Sequence, residues 1–534
     1  MISAEAPAGR ELFAETALGE IAKLLTLQDR NRHSPTYGCF DRNYWHYKVA
    51  DFPCGMSQEF VWPLALATII DSSTNRYHNE EAIREYVRAG ILFAARSSHA
   101  DGSCDDYFPY ERALGATAFS LLACAEACRL IEMESEEALR FLERRATWLV
   151  HHRETGRLSN HHALVALGLD AVGQLLNIDK YASARDERIA QLLSWQTSEG
   201  WFPEYERFDP GYDTLTLSCL AQLHQRRPDA QLEKAIRSSV SLLTNFIHPD
   251  GSFGGEYASR NTYNFFPHGF EVAGRWLPEA LSINDRFLSG LREGRAPCYS
   301  DDRIVGHHAW NYLLAARDFV GERPGDPISR SSRVELKEGG IVIDRRDRTE
   351  LFLALSKGGV FKLFRDRKLV LSDTGVSVRM RNGKVAVVHL IDNYERQVQP
   401  DRIVIRGEMG WAKQKRMRPL NLLLLRIVNL TIGRIAPNLV RAFLQKLLIT
   451  GKDKAPFRFD RTLQWDGTRW NVVDRVEAST WRDVDCVGIG PDQTSVYVAM
   501  SRTFQEGQLQ PWLDVTDRLR ALKDDEPLIV ERSV

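Results

Sequence analysis

One kind of turn recurs through the first 320 residues, and few other features of the chain restrict its fold as much. It stands at Tyr37-Gly38-Cys39-Phe40, Asp101-Gly102-Ser103, Thr155-Gly156-Arg157-Leu158, Glu199-Gly200-Trp201-Phe202, Asp250-Gly251-Ser252-Phe253 and, without its glycine, Asp301-Asp302-Arg303-Ile304. The period is about fifty residues. Each turn leads into a helical segment rich in small apolar residues, such as 113–130, 162–176 and 213–225, whose side chains suit close helix packing. Between them lie charged helical segments, 80–95, 134–151, 184–196 and 231–246, with polar residues at the spacing of a solvated face. The alternation predicts an inner and an outer ring, and six such pairs predict an (α/α)6 toroid over residues 1–323. The same repeats also allow an open helical solenoid, which would have no shared central cleft.

After Pro324 the period changes. The stretches 339–346, 350–357, 368–373, 376–381, 384–390, 402–409, 469–477 and 495–501 are short, β-branched and often alternating, with Gly, Asp or Asn between them. They predict an antiparallel β-sandwich over 324–534, joined by a linker at 321–331 that is rich in Pro, Gly and Ser. Two domains also suit the length, since single cores stop growing at roughly 250–300 residues.

One segment interrupts the strands. Residues 413–454 hold ten Lys or Arg and only Asp453 as an acid, with strongly apolar runs between the charges. Pro419 and Pro437 stand where helices begin, Asn438 would cap the second, and Leu439, Val440, Phe443, Leu444, Leu447 and Leu448 make one apolar stripe. The run 420–436, broken by Asn421, Arg426, Asn429 and Arg434, falls short of the roughly 20 residues needed to span a bilayer. Two readings stay open for this helical hairpin at about 416–451. It lies in the interface of an anionic membrane, or it packs onto the sandwich, the toroid or a second subunit.

A net charge of −1 gives no field that would draw nucleic acid, and none is expected as a partner. The eight cysteines (Cys39, Cys54, Cys104, Cys124, Cys128, Cys219, Cys298, Cys486) are scattered, with no C-x-x-C pair, and no spacing calls for a metal or a cofactor. Cys124 and Cys128, one helical turn apart in an apolar run, read as core thiols. The first residues lack the basic start, apolar stretch and small-residue site of a signal peptide. The expectation is a cytoplasmic protein, peripheral on the inner membrane if the hairpin meets lipid.

Polar and aromatic residues are densest where the inner helices should begin. The sets are Asp41 to Lys48, including Trp45 and His46, with Gln58-Glu59; Asp105 to Arg112, including Asp106 and Tyr107; Asn160-His161-His162; Glu204 to Tyr212, including Asp209; Tyr257 to Tyr263, including Arg260, leading to His268 and Glu271; and His307-His308. Six of the 14 histidines fall in these sets. Rings beside carboxylates and amides suit a sugar-binding cleft, because pyranose faces stack on rings and hydroxyls need fixed donors and acceptors. Trp45, His46, Asp106, Tyr107, Glu204, Asp209, Tyr257, His307 and His308 are the candidate substrate-binding residues.

A toroid followed by a β-sandwich, with Asn160-His161 at an inner-helix start and Tyr212 52 residues later, resembles the heparinase II/III and alginate lyase type of polysaccharide lyase and the related uronyl epimerases. The resemblance implies that Asn160 or His161 neutralises a uronate carboxylate, which acidifies the C5 proton, and that Tyr212 is the acid/base. Arg260, Tyr263 and His268 would supply charge and a second proton carrier. A C–H beside a neutralised carboxylate becomes removable, and a phenolate held near cations can take it. Two departures stand out. The family's Gly-His-x-His-x-Asp motif is missing from the β domain, where His389 is the only histidine, and the first residues do not read as an export signal. Both favour tailoring of a glycan during biosynthesis over degradation of an external polymer.

Other readings remain open. An (α/α)6 hydrolase would use two carboxylates roughly 6.5–9.5 Å apart, with Asp106, Glu204, Glu206, Asp209 and Glu256 available. The turns at 196–201 and 250–255 also resemble those of terpene cyclases and prenyltransferase β-subunits, but Ser103-Cys104-Asp105-Asp106 lacks the first acid of an Asp-x-Asp-Asp motif. A non-catalytic glycan-binding or scaffold protein is the third.

Overall fold

The structure, a computed structural model, describes residues 6–534 apart from 155, 206, 296, 298–302, 326–329, 413–417, 438, 441–442, 444–451, 491–503, 506–508 and 524. Glu206, Asp301-Asp302, the Asn438 cap, the strand expected at 495–501 and most of the second hairpin helix therefore lie outside the described residues.

Helices α1 (Ala6–Leu27), α4 (Glu81–Ser97), α6 (Glu136–His151), α8 (Ala182–Trp195), α10 (Ala230–Leu243) and α12 (Pro278–Arg292) form an outer ring. Inside it stand α3 (Val61–Ala67), α5 (Leu114–Leu130), α7 (Ser159–Leu176), α9 (Pro210–Arg226), α11 (His268–Gly274) and α13 (Val305–Arg317); a one-turn helix, α2 (Arg42–Trp45), lies between α1 and α3. The inner helices are buried on every side, as α5 is from Leu114 to Cys128. An outer helix buries one stripe; α6 buries Ala138, Phe141, Leu142, Arg145, Ala146 and Leu149, the i, i+3, i+4 rhythm of an amphipathic helix. Each inner helix packs on the next, and α13 returns to pack on α3 and α1, so the ring closes as the (α/α)6 toroid and the open solenoid does not form.

The recurring turn has a physical reason. Gly38, Gly102, Gly156, Gly200 and Gly251 all have φ between 84 and 98°. A Cβ at Gly102 would come within 2.6 Å of the Arg145 amide on α6, and one at Gly200 within 2.8 Å of the Ser238 carbonyl on α10. Only glycine permits both the left-handed backbone and the close approach to the neighbouring outer helix.

A short hairpin of β1 (Pro203–Glu204) and β2 (Arg207–Phe208) precedes α9. The C-terminal part has two antiparallel sheets. The first runs in chain order through β3 (Arg333–Leu336), β4 (Ile341–Arg346), β5 (Thr349–Ala354), β6 (Val360–Arg365) and β7 (Lys368–Asp373). The second comprises β8 (Val376–Met380), β9 (Val385–Val387), β10 (Glu395–Val398), β11 (Arg402–Trp411), β12 (Lys454–Trp465), β13 (Trp470–Ala478), β14 (Val484–Ile489), β15 (Leu513–Asp514) and β16 (Leu528–Ser533), in the order β15-β14-β8-β9-β11-β12-β13-β16 with β10 on β11. The five-stranded sheet is the middle layer. Ile341, Ile343, Phe352 and Phe364 join the toroid core, whereas Val342, Leu351, Leu353, Phe361 and Leu363 face the second sheet. Burial on both faces explains why these strands read as nearly continuous apolar runs.

The basic, apolar insertion leaves β11 and returns at β12, two strands that pair with each other. Its described part is α14 (Pro419–Val428), which continues through a π-helical turn, Asn429–Gly433. Arg426 pairs with Asp51 at 2.6 Å and lies over the Phe52 ring, and Arg434 lies over the Tyr110 ring, so the insertion reaches the toroid. Among the described residues, no helix is long and apolar enough to cross a membrane.

Candidate active site

The inner helices begin at one end of the toroid, so the segments preceding them converge on one rim. At the start of α9, Asp209 accepts hydrogen bonds at Oδ1 from the Tyr212 amide (3.1 Å) and Thr262 Oγ1 (3.1 Å), and at Oδ2 from the Arg260 amide (2.8 Å). It is an N-cap followed by Pro210, whose missing N–H costs nothing at the first helical position. Expected to bind substrate, Asp209 is instead buried support that ties α9 to the loop carrying Arg260.

The β1–β2 hairpin delivers Glu204 to the same place. Glu204 Oε1 accepts from the Asn160 amide (3.1 Å) and Asn160 Nδ2 (2.5 Å) at the start of α7, and Oε2 accepts from Arg260 Nη1 (3.1 Å). Burial pushes the Glu204 pKa up, against the opposing pull of Arg260 and His161. The Arg260 guanidinium stacks over two phenol rings, 4.4 Å from the Tyr212 centroid and 4.7 Å from that of Tyr205, with Nη2 3.5 Å from the Tyr212 hydroxyl. Burial disfavours its charge, but Tyr212, Tyr205 and Glu204 outweigh that and hold its pKa above the ordinary value. Tyr212 and Arg260 keep 9% and 8% exposure, whereas Asn160 and Glu204 keep 0% and 1%. Tyr205, Tyr212 and Arg260 are therefore the more accessible members of the group.

A second group faces α5. His161 Nδ1 lies 2.5 Å from Glu154 Oε2, and the ring sits edge-on to Phe119 and against Gly115. Phe119 stacks on His307 at 4.0 Å, and His307 Nδ1 lies 2.5 Å from the buried Glu59 Oε1. A carboxylate at Nδ1 fixes the ring and leaves Nε2 for other chemistry. Further round the rim, Asp106 accepts from Arg303 Nη1 (3.2 Å) and Cys54 Sγ (3.1 Å), and Arg303 lies over the half-exposed Tyr107 ring.

Several expected site residues are elsewhere. His268 opens α11 but its Nε2 meets Asp318 Oδ2, beyond the far end of α13, at 2.8 Å, and the side chain is 1% exposed. Burial lowers its pKa, with Asp318 opposing. His308 is buried against the Phe266 ring, and burial holds it well below the usual histidine range. Trp45 donates from Nε1 to the Leu27 carbonyl (2.8 Å), and His46 is exposed beside it. Tyr257 bonds His248 Nε2 (3.0 Å) and packs on Phe352 under the middle sheet. Tyr263 donates to Glu256 and accepts from Lys362 Nζ (2.9 Å), with Lys362 also 3.2 Å from Glu256 Oε2; this phenol–acid–lysine group is sealed beneath β6. Beside it Lys357, its pKa pushed down by burial to about 7, donates to the Glu256 (2.5 Å) and Ala258 (2.7 Å) carbonyls.

Glu154, Arg303 and Lys362 are thus site or support residues that the sequence did not point to, and Tyr205 was named only as part of the run from Glu204 to Tyr212. A lysine inside the apolar run Val360-Phe361-Lys362-Leu363-Phe364 was the available signal for the last. His389 is buried at the Thr374 carbonyl and does not join the rim groups. Of the five carboxylates available to a hydrolase, Glu206 lies outside the described residues, and the other four are engaged: Asp106 with Arg303, Glu204 with Asn160 and Arg260, Asp209 with α9, and Glu256 with Lys362. A broad concavity on β11–β13, lined by Arg406, Glu408 and Glu477, includes none of the rim residues, and its charges pair among themselves, as Arg406 with Asp460 and Arg475 with Glu477. Among the described residues no group of His, Cys, Asp and Glu is arranged to hold a metal ion.

No protein-family model and no curated protein matches this sequence. Among solved structures, a chondroitin AC lyase of Streptomyces coelicolor A3, in complex with chondroitin sulphate, is similar with a TM-score of 0.54 at 10% identity, covering 92% of this chain and 68% of that one. A Paenibacillus xanthan lyase is similar with a TM-score of 0.50 at 9% identity, covering 100% of this chain and 55% of that one, so this chain spans about half the length of the second lyase. At such identities the likeness is one of fold, and the architecture of this chain is that of the polysaccharide lyases: a helical toroid followed by antiparallel β-sheets.

Proposed function

We propose that the chain is a carbohydrate-active enzyme that removes the C5 proton of a uronic acid residue in a glycan, leading to β-elimination or C5 epimerisation. The observation that carries the reading is the stack of Arg260 on Tyr212, backed by Glu204 and Asn160. A guanidinium on the ring and near the hydroxyl stabilises a phenolate as it forms, and the same cation is in reach of a substrate carboxylate. With that carboxylate neutralised, the C5 proton passes to Tyr212 Oη, and the electron pair left on C5 is delocalised into the carboxyl group. For elimination the pair then forms the C4–C5 double bond as the glycosidic oxygen leaves from C4 and takes up the proton that Tyr212 Oη has just received. For epimerisation a proton returns to C5 from the opposite face, and the His161 imidazole, oriented by Glu154, is the group suited to carry it. The fold likeness to a lyase crystallised with chondroitin sulphate, itself a uronate polymer, supports an acidic glycan as substrate.

The test incubates the protein with uronate-containing glycans in light and deuterated water. New absorbance of an unsaturated uronate supports elimination, and deuterium at C5 without it supports epimerisation. Reducing ends without either signal overturn the reading in favour of hydrolysis, and an active Tyr212→Phe variant overturns the assignment of Tyr212.

A further inference from the structure

The inserted helix presents a surface that the proposed chemistry does not use. Helix α14 buries none of its ten residues, although seven of them are Leu, Ile or Val. Leu420, Leu423, Leu424, Ile427 and Ile435 are 74%, 58%, 60%, 51% and 87% exposed. A helix apolar all round belongs in a nonaqueous setting, and contiguous exposed apolar surface of this kind marks an interaction site. The patch continues onto the toroid, because Val49 and Tyr47, just before the Asp51 that holds Arg426, are 75% and 57% exposed.

Charge identifies the occupant. Ten Lys or Arg against one acid between residues 413 and 454 contrast with a whole-chain charge of −1, and the cations interrupt or flank the apolar run; among the described ones Arg426, Lys452 and Lys454 pair with Asp51, Asp392 and Glu408, and Arg418 and Arg434 are exposed. From Pro419 to Ile435 the helix is roughly 25 Å long, short of the roughly 30 Å hydrocarbon core of a bilayer. The π-helical turn at Asn429–Gly433 falls in the last third, where Asn429 is 4% exposed with its Nδ2 atom unbonded. We propose that this helix docks the enzyme on an anionic lipid bilayer, lying within the headgroup boundary with the flanking cations, such as the exposed Arg418 at its start, at lipid phosphates. Arg426 on Asp51 and Phe52, and Arg434 on Tyr110, make the docked helix part of the toroid rim. Docking therefore brings the segments before α3 and α5 next to the membrane surface.

The test is co-sedimentation of the full chain with vesicles of phosphatidylcholine alone and with 30% phosphatidylglycerol, at low and high salt, beside the L423D/L424D/I427D variant. All three positions are exposed, so the variant is expected to fold, and circular dichroism verifies it. The expected result is binding to the anionic vesicles that falls at least tenfold in the variant and weakens in high salt. Binding that does not depend on anionic lipid overturns the proposal, as does binding unchanged in the variant. A dimer in solution that the same substitutions dissociate also overturns it, by showing that a second copy covers the face. None of these outcomes depends on whether the protein acts on uronates.

Discussion

Arg260 lies 4.4 Å from the centroid of the Tyr212 ring and 3.5 Å from its hydroxyl while bonding Glu204 at 3.1 Å, so one guanidinium serves a phenol and a carboxylate together. Removing the hydroxyl alone separates chemistry from packing. Tyr212→Phe should lower kcat by about 10²–10⁴-fold, the usual worth of a positioned acid/base, with KM changed only a few-fold. Initial rates on an active uronate substrate check this, and a loss confined to KM would make Tyr212 a binding residue.

Arg260 also holds a buried negative charge. Arg260→Met leaves Glu204, 1% exposed, with only Asn160 of the partners described above, and should cost about 3–5 kcal/mol in denaturant unfolding. Adding Glu204→Gln removes the stranded charge, so the double variant should be more stable than Arg260→Met alone. A double-mutant cycle measures the coupling, and additive losses would show that the two groups do not interact.

Gly115 tests the second group. A Cβ there would come within 2.7 Å of His161 Cε1 and 2.9 Å of Nε2, while Glu154 holds Nδ1. Gly115→Ala should therefore reduce activity at least about tenfold by displacing the imidazole, while helix propensity offsets part of the strain by about 1 kcal/mol. In a His161→Ala background the same substitution should add no further loss of rate.

Acid should weaken the β domain through Asp373. Burial alone would raise its pKa, but Arg461 and Arg532 pull it below the ordinary carboxylate value. Because the folded pKa is the lower one, this contribution is complete above the unfolded pKa of about 4 and is lost as pH falls below it. Glu126 behaves alike, its burial outweighed by Arg226 and Arg129. Urea midpoints should already decline from pH 7 to 5, as the unfolded chain protonates histidines that burial keeps neutral, such as His248 and His308, and should drop further between pH 4 and 3, with a shallower drop over that last step in Arg461→Met from a lower starting stability.

The toroid was legible because its turns demand glycine and its outer helices are amphipathic. The site was legible only in part. Asn160, Glu204, Tyr212 and Arg260 were all named, yet so was His268, which faces Asp318 instead. The inner helices are apolar on every side, so their periodicity carries no phase, and a polar residue at a helix start can point to the cleft or away from it. Tyr257 and Tyr263 sit in the long connection between α10 and α11, whose path beyond the turn at 250–253 no repeat predicts. Asp209 was legible as an acid, but the Asp209-Pro210 pair is equally the signature of a helix cap, and the cap is what it forms. Lys362 stood in plain view as a charge within an apolar strand, but its partners, Glu256 and Tyr263, come from about a hundred residues earlier.

The middle sheet has a further consequence for how the protein can be handled and how it evolves. With one face in the toroid core and the other in the sandwich core, β4–β6 belong to neither half alone. A fragment ending near residue 323 would leave bare the floor on which Ile341, Phe352 and Phe364 rest, and would tend to aggregate. The chain should melt in a single calorimetric transition, and the rim loops, unconstrained by that shared layer, are where new specificities can arise without unsettling the whole.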